Sequence, residues 1–429
     1  MNLQAGLSFE QAPPFSVPLR FFLTAPLFLL AGALLILAAP ESLASRWTAL
    51  ALTHALTLGF LAMAMLGALM QMLPVVAGST LPAPRAVAWL THAPLVAGTA
   101  ALMAGFLGAG SMAFVIGIVL LGCAFAVFLL AAGTTLARAV SNPTVTGIRL
   151  AAVCLGLTAG LGLALALMRV GGWMPPEAES AATAHVAFGL LGWVLLLVIG
   201  VAYQVVPMFQ ITPPYPPRLA RWLAGCFFML LIIHAATPLF PETKRATLAL
   251  LADTGLATGI FVFALVTLQL QSRRRRKLPD ITLDFWRAGM ASLFLCVAVW
   301  LAGQLWPAWG ASNAYPLQLG VLFVGGFAVS VVNGMLYKIV PFLAWFHLQA
   351  QLQARAGTIP NMKEMIPERW MRAQFLLHLT SCALLAAASI RPQLFAIPAG
   401  VAMGLSALLL WVNLLSVARC YIRHGGHLK

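Results

Sequence analysis

The fold of this chain is decided by residues 53–74, which read THALTLGFLAMAMLGALMQMLP. At about 1.5 Å of rise per residue, a helix of this length crosses a lipid bilayer. The stretch carries His54 near its start and Gln71 near its end. We expect the helix to stop at Pro74, because proline cannot continue the backbone hydrogen-bond ladder.

The same design occurs twice more along the chain. One copy runs from His185 to Pro207, and another runs from Gln318 to Pro341 but has no histidine near its start. Three related helices that carry polar residues predict a threefold internal repeat, with a site where the three helices meet.

The composition is that of an integral membrane protein. The chain has 429 residues, of which 62% are hydrophobic and 8% are charged, whereas a soluble protein carries roughly 25% charged residues. The net charge of +15 could suggest nucleic acid, but the basic residues fall between apolar runs. There they set orientation in the membrane, so we expect the lipid bilayer as a partner and no nucleic acid.

Apolar runs of about membrane-spanning length recur along the whole chain. Such runs form helices, because backbone polar groups in lipid must be satisfied within the segment. The sequence therefore predicts an all-α, polytopic bundle of about twelve transmembrane helices. The predicted spans lie near 20–38, 48–73, 86–107, 112–136, 146–168, 182–206, 219–238, 247–270, 286–306, 316–341, 371–389 and 393–420.

The distribution of positive charge predicts the orientation. If the N-terminus is cytoplasmic, 20 of the 25 Lys and Arg residues fall on the cytoplasmic side, among them the run Arg273–Lys277. This bias agrees with the positive-inside rule. An even number of spans returns the C-terminus to the same side. We therefore expect a multi-pass protein of a bacterial-type inner membrane with both termini in the cytoplasm.

An offset of 133 residues relates the first two copies of the repeat. The third copy keeps Gly334, Tyr337, Lys338 and Pro341. The repeat predicts three four-helix units, at residues 1–140, 141–279 and 280–429, within one membrane domain. The positions related by the offset are Gly67 and Gly200, Gln71 and Gln204, Pro74 and Pro207, Pro84 and Pro217, Arg85 and Arg218, and Trp89 and Trp222.

Twelve helices in three units, with histidines in spans 2 and 6, resemble the catalytic subunit of the heme–copper oxidase superfamily. The opening PPFSVPLRFF at residues 13–22 and the His54…Gly67…Pro74…Gly78 stretch are more similar to NnrS-type membrane proteins. This resemblance implies heme, with copper possible, a link to nitric-oxide metabolism or respiratory electron transfer, and a membrane or periplasmic redox partner.

The chain departs from the oxidase pattern at the ligand positions. Span 10 contains no histidine, and span 7 has only His234 where the superfamily has an adjacent pair. We therefore expect a protein that is not a complete oxygen-reducing oxidase, and the sequence assigns no catalytic residue.

Three histidines are the candidates for a cofactor site. His54 and His185 lie near the start of equivalent spans and are the candidate heme ligands, and His234 is a candidate metal ligand at similar depth. Neutral imidazole binds metals and heme iron. The alternative is that each histidine makes a hydrogen bond between helices.

Four further polar residues in the spans allow two interpretations each. Gln71, Gln204 and Lys338 each stand three residues before a proline, where they could satisfy a freed carbonyl or line a hydrated funnel. Lys338 could also extend to the membrane surface. Asp253 in span 8 is either a proton-relay residue or the partner of a threonine or backbone amide.

Two classes of function therefore remain open. One is a heme- or metal-binding membrane protein, and the other is a transporter or cofactor-handling permease. Transporter repeats are usually inverted or twofold, so a threefold four-helix repeat favours the first class.

Overall fold

The computed structural model describes residues 11–40, 45–78, 80–275, 278–352 and 359–428. The described residues form helices joined by short turns, with no strand among them. Four basic residues that enter the charge count lie outside the described residues: Arg276, Lys277, Arg355 and Lys429.

Twelve helices in the described part of the chain are long and apolar enough to cross a membrane, which confirms the predicted fold class. We number them α1 to α12 in chain order. They are Ser16–Ala38, Arg46–Val75, Pro84–Phe106, Ser111–Arg138, Pro143–Val170, Glu177–Gln210, Pro217–Leu239, Glu242–Ser272, Ile281–Leu305, Ala314–Gln351, Glu368–Ala388 and Pro392–Arg423.

The outer surface of the bundle suits contact with lipid. Large apolar side chains point away from the core, such as Val119 with 62% and Leu130 with 72% of its surface exposed. In water such a surface would be costly, whereas hydrocarbon chains solvate it. The bilayer is thus a compatible environment for these helices.

Helices α2 and α6 are the most buried of the twelve, and α10 is more than half buried. We call the end of the bundle at which these three begin the histidine end and the opposite end the proline end. Contrary to the prediction, the helices do not stop at Pro74, Pro207 or Pro341 but continue past each of them. Neighbouring helices and local adjustment allow proline inside a membrane helix.

Each of the three central helices contains one wide π-helical segment. These segments are Ala55–Ala62 in α2, Ala187–Leu195 in α6 and Val321–Val329 in α10. π-Helical turns are rare and are often found at functional sites. The segments of α2 and α6 each contact that of α10, so the three meet in the interior.

Glycines let each central helix press against the helix before it in the chain. In each of α2, α6 and α10, two glycines eight residues apart contact two residues that lie seven apart in the preceding helix. A methyl group added at any of these glycines would clash with its partner. The contacts are Gly59 with Phe28, Gly67 with Phe21, Gly192 with Cys154, Gly200 with Gly147, Gly326 with Ser292, and Gly334 with Phe285. The same packing thus recurs three times.

The remaining helices close the bundle around these pairs. Helix α1 packs against α12, α4 packs against α5, and α8 packs against α9. Arg149 at the start of α5 donates hydrogen bonds to the carbonyls of Leu136 and Ala139 at the end of α4, at 2.7 and 2.8 Å. The division into three four-helix units stays a prediction.

We expect Gly200→Leu to destabilise the protein by about 3 kcal/mol, because overpacking of a tight contact is costly. A Cβ atom at Gly200 would lie 3.0 Å from the Gly147 Cα, and backbone cannot move aside as a side chain can. Gly225→Leu in α7 is the matched control, since no atom lies within 4 Å of its added Cβ. Thermal unfolding in detergent measures both. Equal stability of the two variants would contradict the close packing.

Candidate functional site

The imidazoles of His54 and His185 meet at the histidine end of the bundle. Their ring centroids lie 6.3 Å apart, and the ring planes differ by 21°. Counting back from the prolines at 3.6 residues per turn sets these side chains about 200° apart. Each helix has a π-helical segment of similar length between its histidine and its proline, so the wider turns change both counts alike. The rings nevertheless lie together, so the equivalence of the two helices does not extend to the orientation of these side chains.

One nitrogen of each imidazole is bound to a backbone carbonyl. The Nδ1 of His54 lies 2.8 Å from the carbonyl oxygen of Leu50, and the Nδ1 of His185 lies 2.9 Å from that of Thr158. A carbonyl oxygen can only accept, so each Nδ1 carries the hydrogen. In the neutral rings Nε2 therefore keeps a free lone pair, the form in which histidine binds a metal.

Small and aromatic neighbours define the space around the pair. The ring of Phe106 lies 5.2 Å from that of His54. A Cβ atom at Gly162 would lie 2.8 Å from the Cε1 of His185. Any residue larger than glycine would therefore clash with the imidazole in its present position. Nearby, the Arg169 guanidinium lies 4.8 Å from the ring centre of Trp47, a cation–π contact at the histidine end.

His234 has a different partner. Its Nδ1 lies 2.6 Å from Oδ1 of Asp253, which joins α7 to α8. Of the two interpretations of Asp253, pairing with a threonine or a backbone amide is replaced by pairing with an imidazole, and the proton-relay role stays a prediction. The carboxylate fixes the orientation of the imidazole and leaves its Nε2 for other contacts. The sequence offered one signal, since the two residues lie at similar depth in consecutive antiparallel helices.

A polar cavity of about 170 Å³ lies beside His234 at the histidine end. Its lining includes Glu179, Thr183 and Thr237. Neither here nor elsewhere among the described residues do three or more His, Cys, Asp or Glu side chains form a group that could hold a metal ion. His54 and His185 thus lie together, and His234 belongs to a separate pair; their ligand roles stay predictions.

Gln71, Gln204 and Lys338, which stand three residues before the prolines, have surroundings that differ from one another. Lys338 donates to Asp280 at 3.0 Å, and the other oxygen of Asp280 caps the start of α9 by accepting from the Thr282 N–H. Gln71 is buried, and its Oε1 has no hydrogen-bond partner within the described chain. Gln204 is half-buried. Sequence reasoning did not foresee the Lys338–Asp280 ion pair, because the partners are 58 positions apart.

Two other histidines inside the bundle serve packing. The Nε2 of His92 lies 2.9 Å from the Thr24 hydroxyl, and that of His378 lies 2.8 Å from the Ser330 hydroxyl. In these two rings the contact is made through Nε2, the nitrogen that is left free in His54 and His185.

These observations define a polytopic, all-α membrane protein with a pair of interior histidines at one end of its central helices. No family model matches the chain, and no curated protein matches it significantly.

We expect the His234–Asp253 pair to contribute about 1 kcal/mol of coupling energy, because both side chains are largely but not fully shielded. Their exposed fractions are 21% and 30%. A double-mutant cycle with His234→Ala and Asp253→Ala, followed by thermal unfolding, measures this coupling. Additive effects of the two substitutions would show that the contact has no net stabilising effect.

Proposed function

We propose that this chain is a heme-binding integral membrane protein in which His54 and His185 would together hold one heme. The observation that carries the proposal is the spacing of the rings. Two imidazoles that share one metal through bonds of about 2 Å have ring centres roughly 6 to 6.5 Å apart. The ring centroids of His54 and His185 lie 6.3 Å apart, which is compatible with such a shared metal.

The hydrogen bonds support the same assignment. Histidines that bind a metal almost always donate their second N–H to a carbonyl, a carboxylate or water, which fixes the tautomer and makes the ligand more basic. The carbonyls of Leu50 and Thr158 are in the position to do this. The donor atoms of His54 and His185 are thus suitable ligands for heme iron.

The number of protein ligands favours heme over a bare metal ion. Structural and catalytic sites for transition metals use three or four protein ligands, whereas the pair offers two. Heme supplies the other four ligands from its own ring, so two histidines complete it. Copper held by the same pair remains the competing outcome of the test.

Heme held by two histidines supplies one-electron transfer. The chain's own residues orient the two rings, and Phe106 packs beside the His54 ring. The equivalent helix α10 carries no histidine near its start, so the set of histidines that the oxidases use for two hemes and a copper is not present here. The proposal is therefore electron transfer or a role in nitric-oxide metabolism, with a redox partner in or beside the membrane, and not a complete oxidase.

The competing function is a transporter or cofactor-handling permease, and one observation favours it. The polar cavity beside His234 at the histidine end could admit a polar solute, and the His234–Asp253 pair could carry a proton. The same purified sample decides between the two functions, since a permease needs no resident heme.

The visible spectrum of the purified protein tests the proposal. We expect a Soret band with the sharp α and β bands of six-coordinate heme on reduction, and we expect His54→Ala and His185→Ala each to lose or shift them. His92→Ala is the control, because that ring is also inside the bundle but binds Thr24 through Nε2. A heme-free protein, with or without copper by elemental analysis, would overturn the heme assignment.

A second variant acts on the ligand geometry and keeps both histidines. We expect Gly162→Ala to shift the Soret band or weaken heme retention, because the added methyl group would meet the His185 ring at 2.8 Å. Gly160→Ala on the same helix is the matched control, since nothing lies within 4 Å of its Cβ. Identical spectra and heme content for both variants would argue against His185 as a ligand.

We also propose that the protein lies in a bacterial-type inner membrane with both termini in the cytoplasm. The excess of Lys and Arg on one side of the spans supports this orientation. Reporter fusions after Arg274 and at the C-terminus should both report cytoplasm. An extracytoplasmic signal from either fusion would overturn the orientation.

A further inference from the structure

A cavity of about 90 Å³ lies between the three central helices, on the proline side of the His54–His185 pair. It is bounded by Ala64 to Met72 of α2, Leu197 to Val205 of α6 and Val331 to Ile339 of α10, with Phe22 and Trp286 from two neighbouring helices. Ala64 lies ten residues beyond His54 in α2, which places the cavity about 15 Å deeper at the rise of an ordinary helix.

The surface of this cavity is almost entirely apolar. Its lining consists of alanine, valine, leucine, isoleucine, methionine, phenylalanine and tryptophan side chains. A buried water molecule needs two to four polar partners, and cavities without them stay dry. The cavity is therefore unsuited to water, ions or polar solutes.

The shape of the central helices explains why the space is not filled. The three helices pack through glycines against their preceding neighbours and line this cavity with their other faces. The side chains on the inner faces at this depth are mostly of medium size, such as Val198, Val201 and Val332. A gap in a packed interior forfeits dispersion contacts along its lining, and an apolar occupant would restore them.

We propose that this cavity is a binding site for small apolar gas molecules, of the size of dioxygen, nitric oxide or xenon. An engineered cavity of about 150 Å³ with similar lining is dry and takes up xenon or benzene, so 90 Å³ suits a smaller guest. The space is too small for a heme or for the length of an acyl chain. Met72 and Met335 in its lining are half-buried, and their flexible side chains can move to admit a guest.

Diffraction from crystals of the full-length protein under xenon pressure tests this site. We expect one strong xenon peak in contact with Met65, Val198 and Val332. Ala68→Phe should fill the cavity and remove the peak. Ala126→Phe is the matched control, because that alanine is exposed on the outer surface of α4, and it should leave the peak unchanged.

Diffraction from crystals of the unmodified protein under xenon pressure is the measurement that can overturn the proposal. Absence of xenon at this position, ordered water there, or elongated density of a lipid tail would each do so. If Ala68→Phe does not fold, Val201→Phe fills the same space from α6. None of these measurements depends on bound heme, so the gas site and the heme assignment can fail separately.

Discussion

The bundle depends on close contact between glycines of its central helices and the helices that precede them. At Gly147 and Gly200 two glycines face each other so closely that an added Cβ at Gly147 would lie 2.5 Å from the Gly200 Cα. In lipid there is no hydrophobic force between apolar helices, so close van der Waals packing must hold them together. Glycine contacts at the same spacing recur in α2, α6 and α10, so each of the three helices packs closely against the helix that precedes it.

The π-helical segments connect this packing to the histidine pair. His54 comes directly before the segment Ala55–Ala62, and His185 comes two residues before the segment Ala187–Leu195. A wider turn changes the rotation of everything that precedes it relative to the rest of the helix. Because the two segments have similar lengths, they rotate both histidine halves by similar amounts, and the rings lie 6.3 Å apart although their positions in the repeat differ.

The number of spans, the fold class and the three central helices could be predicted from sequence. The length of the apolar runs and the offset of 133 residues can both be read along the chain without knowing how the helices pack. The prolines misled the prediction of where the helices end. A rule derived from helices in water treats Pro74 as a terminus, whereas the surrounding helices allow α2 to continue. The sequence singled out His54 and His185, but it could not place their rings together or find the Lys338–Asp280 pair, since both depend on the rotation and packing of distant helices.

The contact between His234 and Asp253 has a consequence for how the protein enters the membrane. Asp253 on an isolated α8 would expose a carboxylate to hydrocarbon, which disfavours insertion of that helix alone. Helix α7 is synthesised first and already carries the imidazole that binds this carboxylate at 2.6 Å. The two helices, joined by a turn of two residues, therefore form a natural unit of co-translational insertion, in which the first helix supplies the polar partner that lets the second one leave the translocation channel.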